Sequence, residues 1–506
     1  MTTPPNRSPV LSPAVAAALV ACAGPDTPSP SGGVATVTWG ATVPNAATLH
    51  FTTEATGVPY AVITLPEGTT LTTPKGVVGT EHAVPLRGLP SGTQVEIQPM
   101  VEVEGDVIAS PSVDVLVPSA PWDLPTFAPT VSADPASEVV NRHVLATIVA
   151  DESSFVVMLD GLGRPVWYHR LDPGYAAVTA RPTPDGQGLR YGTFDWDKNE
   201  DLGRIVQVNW DGVVVADTRV LLGHHDFVDF GDGNLGWLAL DFREIPGIDG
   251  TPVDVASDRV FTAPEGSDIL DPTELVNLFD QGGLPLVLGC EHQQKDFDRY
   301  GRTDLHEWTH TNSLVWEPNQ DRLYTLSKYT DTLMAFDRTT GDRIFQLGGA
   351  GGEFTGPSGE DLWASADEAV LFSHGHLSQL WEGGALVFDN GDHLDPPVSG
   401  LRWITWDETA RTASVAWEVR DRLGRYTVSM GDARFTPEGH VLAAWATLGL
   451  INEVSLDGNV LWEVAGGDGA IMGRVRLLTD LWDLAQGSVA EPPVDALARR
   501  PATHPP

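Results

Sequence analysis

The stretch Ala335–Gly349, AFDRTTGDRIFQLGG, is two short apolar runs separated by a polar turn around Gly341. Alternating apolar and polar residues on either side of such a turn spell strand, turn, strand. Four other segments share the form: MLDGLGRPVWYHR (158–170), QVNWDGVVVADTR (207–219), WDETARTASVAWEVR (406–420) and EVSLDGNVLWEVAGG (453–467). Aligned on the turn, they bring Trp167, Val215, Phe345, Trp417 and Trp462 to one position. Neighbouring gaps of 48 and 45 residues match the period of a four-stranded propeller blade. The gaps of 130 and 72 residues leave room for further blades and for an insertion, placed at about 241–300. The expectation is a six-bladed β-propeller over residues 125–490, with the Trp and Phe residues of the repeats in its core.

Upstream, from Val34 to about residue 118, short alternating strands follow one another without helical segments, the pattern of a β-sandwich. LRGLPSGTQVEIQPMVEV within it resembles the hairpin near the end of fibronectin type III domains. The predicted fold is therefore all-β, a small fibronectin-III-like β-sandwich (34–118) followed by the propeller. Residues 23–33 read as a linker and 491–506 as a disordered tail. In residues 1–22, Arg7 precedes an apolar run, and Leu19-Val20-Ala21-Cys22 has the form of a lipobox. That pattern predicts a lipoprotein signal peptide with Cys22 acylated, hence export to the cell envelope, periplasmic or anchored in the outer membrane. No later apolar run reaches the ~18 residues needed to span a bilayer, so contact with a membrane is expected only through the anchor.

With 30 basic and 69 acidic side chains the formal charge is −39, which argues against nucleic acid as a partner. The two cysteines, Cys22 and Cys290, provide neither a disulfide framework nor a zinc ribbon, and Cys290 reads as an inert thiol.

The histidines fall into a pattern. HHDFVDFGDGNLGWLAL from His224, THTNSLVWEPNQDRLYTLS from Thr309 and GHLSQLWEGGALVFDNG from Gly375 each open at a histidine and run strand, turn, strand. His225, His310 and His376 then begin the innermost strands of three blades and converge on the channel mouth. One stretch, LHEWTHTNS (305–313), also spells H-E-x-x-H, the zinc-protease motif, with His306, Glu307 and His310. That motif needs a helix, whereas the β-branched residues and the turn after it favour a strand. On a strand His306 and His310 stand ~13 Å apart, too far for one ion. No metal and no cofactor are expected.

Taken together, HHDF with GDGN, EWTHTNSLVWEPNQDRLYTLSKYTDTLMAFDRTTGDRIFQLGG, SHGHLSQLWEGGALVFDNG, GDARFTPEGHVLAAW and GRVRLLTDLW resemble the bacterial PAPS-independent arylsulfate sulfotransferases over about residues 140–480. The resemblance implies sulfuryl transfer from an aryl sulfate donor to a phenolic acceptor through a sulfohistidine. His376 matches the nucleophile, His310 and Asn312 the His-x-Asn pair, and His225 or its neighbour His224 the first active-site histidine. Lys328 stands where the family usually has Arg, and would contact sulfate without the bidentate fork. Gly375 and Leu377 replace the usual Gln and Asp beside the nucleophile, so His374 competes with His376 for that role. Asp389 and Asn390 are expected to tie a turn. Two other readings are a non-catalytic propeller binding a ligand or a protein partner, and a quinoprotein-like dehydrogenase, which AFDRTTGDRIFQLGG also resembles.

Overall fold

The computed structural model describes residues 34–478, apart from 151–152, 196–201, 248–249, 268–270, 289–292, 298–301, 364–369 and 468. Cys22 and its lipobox, Cys290 and the 491–506 tail lie outside the described residues. Six sheets surround one axis, and their innermost strands are Tyr175–Pro182, Gly223–Asp229, Thr311–Glu317, His376–Trp381, Asp432–Phe435 and Ile471–Leu478. The protein is an all-β, six-bladed propeller.

The ring is closed at two places. Ile471–Leu478, from the end of the chain, pairs with His143–Val149 and becomes the innermost strand of blade 1. Phe127–Val131, from before blade 1, pairs with Val460–Gly466 at the outer edge of blade 6. Two distant parts of the chain thus share two blades, so opening the ring requires breaking strand ladders rather than loop contacts.

The five repeats are the third and fourth strands of blades 1, 2, 4, 5 and 6, and each carries a β-bulge at the same place. Met158 faces Trp167, Gln207 faces Ala216, Ala335 faces Phe345, Trp403 faces Trp417 and Glu453 faces Trp462, and the partner strand then skips one residue. Val215 is the skipped residue of blade 2 and is 53% exposed. The sequence alignment had given it the position that Ala216 occupies. A bulge moves the register by one, and a one-residue slip exchanges the two faces of a strand. Trp417 is half-buried, while Trp167, Phe345 and Trp462 are core.

The tryptophans at this position latch each blade to the next. Trp167 Nε1 donates to Trp210 O of blade 2 (2.9 Å), and Trp417 Nε1 donates to Leu456 O of blade 6 (2.8 Å). Trp462 Nε1 donates to Gly161 O of blade 1 (2.9 Å), across the closure. A buried indole needs a partner for its N–H, and the neighbouring blade's turn supplies a carbonyl at each place.

The 241–300 insertion builds onto blade 3. The hairpin Asn234–Pro246 and Pro252–Pro264 lengthens the sheet, and Arg302–Glu307 joins its edge in parallel, with Val255 facing His306 and Ala256 facing Glu307. His306 and Glu307 therefore lie on a strand, and the helix a zinc protease needs does not form. N-terminal to the propeller, the long strand Ala47–Thr64 is shared between two groups of strands. Its first half pairs with Thr36–Trp39 and Gly79–Leu86, its second with Thr70–Thr72 and Gln94–Val103. This unit docks on blades 1 and 2: Val43 and Ala46 pack in the cluster around Trp167 and Trp210, and Arg87 pairs with Asp211 (2.5 Å).

Trp462 fills the closure and holds its latch. Trp462→Ala is expected to destabilise the protein by about 3–5 kcal/mol, read as a lower midpoint of chemical denaturation; an unchanged midpoint would contradict the latch.

Candidate active site in the propeller channel

At the centre of the channel one arginine joins the blades. Arg474, on the blade 1 innermost strand, is 8% exposed. It pairs with Asp226 of blade 3 (2.9 Å) and donates to Asn312 O and Ser313 Oγ of blade 4 (3.2 and 3.1 Å) and to Leu377 O of blade 5 (3.1 Å). Asp226 also pairs with Arg181 of blade 2 (2.7 Å) and accepts from Leu314 N (3.0 Å). Asp432 of blade 6 stands 3.8 Å from Arg474 and accepts from Val475 N (3.1 Å). All six innermost strands meet in this network. Asn312 extends it, donating through Nδ2 to Gly375 O (2.9 Å) and accepting from Ser313 Oγ (2.8 Å). Its side chain fixes the entry to the blade 5 strand, two residues before Leu377.

The histidines stand on that frame. His225, His310 and His374 have φ values of 53°, 46° and 55°, in the left-handed region that non-glycine residues seldom occupy. The His225 and His310 rings lie 4.8 Å apart. His310 continues to Tyr329 (4.8 Å), and Tyr329 to His374 (5.5 Å). Each of the three predicted imidazoles has a partner at Nδ1. For His376 it is Asn390 Oδ1 (2.9 Å). For His310 it is Glu307 Oε2, 2.8 Å away. For His225 it is His224 Nδ1 (2.8 Å), and His224 Nε2 stands 3.1 Å from Asp258 Oδ1.

Asn390 sets the tautomer of His376. Its amide nitrogen donates to Thr427 O (2.8 Å) and Met430 O (3.1 Å), so Oδ1 must face His376 and accept. His376 then carries its proton on Nδ1 and a lone pair on Nε2. Asn390 was expected to tie a turn; Asp389 does so, accepting from Ser373 N (2.7 Å) and Gly391 N (3.2 Å). His374, the rival nucleophile, is fully buried with both ring nitrogens engaged, Nδ1 with Asp392 Oδ2 (2.7 Å) and Nε2 with His393 Nε2 (3.1 Å). Lys328 is buried beside this group, 3.8 Å from Asp392 and donating to Val428 O (3.2 Å).

Burial, with His310, His224, His376 and Arg474 close by, holds His225 well below the ordinary imidazole range. Burial, then Lys328 and Arg474, does the same to His376 against the pull of Asn390. His374 is lowered to about 4 by burial, with Asp392 opposing. At neutral pH all three are uncharged rings in a site whose fixed cations are Lys328 and Arg474.

Sequence reasoning passed over Arg474, Asn390, Tyr329 and Asp392. Arg474 left a signal, a basic residue inside the apolar strand IMGRVRLL. Asn390 left none beyond a turn-like spelling, because its partner lies 14 residues away and Thr427 further still.

The family model described as Arylsulfotransferase (ASST) matches residues 130–475. No curated protein matches the chain. Solved structures similar to it include a protein of unknown function from Bacteroides caccae, 11% identical, covering 73% of this chain and 96% of that one with a TM-score of 0.34. Dihydro-heme d1 dehydrogenase NirN is 12% identical over 71% and 78% of the two chains, with a TM-score of 0.32. Apo AztD from Citrobacter koseri is 10% identical over 84% and 98%, with a TM-score of 0.28. Scores this low carry no argument about function.

A histidine held below its unfolded pKa stabilises the fold fully above that pKa, and the contribution is lost as pH falls towards the folded value. For His374 the window runs from about 6.5 down to about 4, worth about 3 kcal/mol. Urea midpoints should fall steeply between pH 7 and pH 5, and less steeply in His374→Gln. Equal slopes in the two proteins would contradict the assignment.

Proposed function

The chain belongs to the arylsulfotransferase family, and from that premise we propose that it moves a sulfuryl group from an aryl sulfate ester to a phenol through a sulfohistidine at His376. The observation that carries this reading is the tautomer of His376. Asn390 occupies Nδ1, and Nε2 takes no hydrogen bond from the described residues. A neutral imidazole with its lone pair on the open nitrogen is a competent nucleophile. The depressed pKa of His376 keeps it in that form throughout the neutral range.

In the first half-reaction the Nε2 lone pair attacks sulfur, an N–S bond forms, and the S–O bond to the aryl group breaks with its electrons leaving as phenolate. The imidazole becomes cationic, and Asn390 Oδ1 stabilises it through the Nδ1 proton. Lys328 supplies positive charge to the sulfuryl oxygens and the departing phenolate. In the second half-reaction an acceptor phenol gives its proton to His310, which stands 2.8 Å from Glu307 and releases the proton to solvent before the next cycle. The phenolate oxygen attacks sulfur and the N–S bond breaks, restoring neutral His376. His225 lines the same pocket, and His224 and Asp258 orient it. Asn312 and Arg474 act as positioning residues through the backbone of blade 5.

Export with acylation at Cys22 belongs to the same proposal, and the mass of the mature N-terminal peptide tests it. Mixing the protein with an aryl sulfate and a phenol, without nucleotide, should give transfer with parallel double-reciprocal lines. His376→Asn should lower the rate by at least about 10³-fold, and Asn390→Ala should lower kcat by about 10²-fold. Intersecting lines, or full activity in His376→Asn, would sink the mechanism.

A further inference from the structure

Away from the channel, two buried carboxylates and an imidazole meet where the chain closes the ring. Glu453 lies on Leu450–Val454 of blade 6, opposite Leu442, with its side chain on the face that packs against blade 1. It reaches the segment entering blade 1: Ser137 Oγ (2.5 Å), Glu138 N (3.0 Å) and Val139 N (3.4 Å) donate to its Oε2. Its Oε1 stands 2.6 Å from His440 Nδ1, on the turn between the first two strands of blade 6. Glu138 turns back to that turn, its Oε1 accepting from Glu438 N (3.0 Å). Glu138, His440 and Glu453 each offer a ligand atom, and these atoms lie within 4.8 Å of one another, the one such group of three among the described residues.

The second observation is a buried oxygen without a hydrogen bond. Glu138 is 9% exposed, and its Oε2 is buried without accepting a hydrogen bond. The nearest cation is Arg142, 3.7 Å away and itself partly exposed. A buried carboxylate oxygen without a hydrogen bond, facing a partly exposed arginine only at 3.7 Å and lying beside a second buried carboxylate, is costly. A divalent ion bound at the same point would compensate both charges.

We infer that Glu138, His440 and Glu453 form a structural binding site for a divalent transition-metal ion that clasps the segment entering blade 1 to blade 6. One imidazole nitrogen with carboxylate oxygens suits zinc or manganese rather than calcium or magnesium, which take oxygen alone. Ligand atoms about 2 Å from one ion stand roughly 3–4 Å apart, within reach of these three by side-chain rotation. On binding, His440 changes tautomer, its proton passing from Nδ1 to Nε2 through solvent so that the Nδ1 lone pair faces the ion, while Ser137 and the Glu138 and Val139 amides go on holding Glu453. The clasp lies at the closure that Trp462 latches from the other side of the chain, at Gly161, so it adds to the strength of the ring and not to the chemistry of the channel.

The test uses the full chain, stripped with chelator and then dialysed against Zn²⁺, Mn²⁺ or Ca²⁺, with bound metal measured by mass spectrometry and melting followed in parallel. About one Zn²⁺ or Mn²⁺ per chain should remain bound and raise the melting temperature. Glu138→Gln, which keeps the shape of the side chain, and His440→Ala should each weaken binding by at least about tenfold and abolish the thermal shift. Sulfuryl transfer should be unchanged in Glu138→Gln, since that residue lies outside the channel. Three results would overturn the inference: no retained ion, retention of Ca²⁺ in preference to Zn²⁺ and Mn²⁺, or binding undiminished in both variants. The last would assign the ion to another group, such as the channel histidines.

Discussion

Arg474 holds the centre of this molecule. A propeller blade buries its faces against its neighbours, but its innermost strands end in a channel where buried polar groups still need partners. Here one guanidinium, with Asp226 and Asp432 as counter-charges, joins the strands of blades 1, 3, 4, 5 and 6, and Arg181 brings in blade 2. Removing one member of such a buried network costs several kcal/mol, because it leaves charges uncompensated. The same bonds decide where Asn312, Ser313 and Leu377 sit, and with them the entry to the His376 strand. Stability and catalytic geometry depend on one side chain.

The chemistry follows from how that frame treats nitrogen. Burial depresses the basicity of His225, His374 and His376, which alone would only make them inert. What separates them is hydrogen bonding. His374 has both nitrogens engaged within a group of Asp392, His393, Lys328 and Tyr426, so it belongs to the wall. His376 has one nitrogen tied by Asn390 and the other without a hydrogen bond from the described residues. His310 sits 2.8 Å from the Glu307 carboxylate. The partners of their ring nitrogens thus set His374, His376 and His310 apart.

Much of this was legible in the sequence because propeller blades repeat. The turn and aromatic of AFDRTTGDRIFQLGG recur at blade spacing, and the histidines begin strands in three blades. What was not legible depended on register or on distance along the chain. Val215 was misplaced because a bulge skips it, and bulges leave little trace in composition. Asn390 looked like a turn residue, since its neighbours are Asp389 and Gly391, and its bond to His376 forms only when the hairpin closes. Lys328 reads as a sulfate contact in the sequence, but its burial against Tyr329 and Asp392 left no sequence signal. The H-E-x-x-H spelling is set aside by the β-branched residues around it, and the strand Arg302–Glu307 forms as expected, with Glu307 2.8 Å from His310 at its end.

The central claim is that His376 carries the sulfuryl group. The most direct measurement is rapid acid-free quenching of the protein with an aryl sulfate and no acceptor, followed by peptide mapping. A sulfuryl group on the imidazole of the His376 peptide, discharged when phenol is added, is the predicted result. A modification on His374, His310 or His225, or no adduct while transfer still turns over, would contradict it.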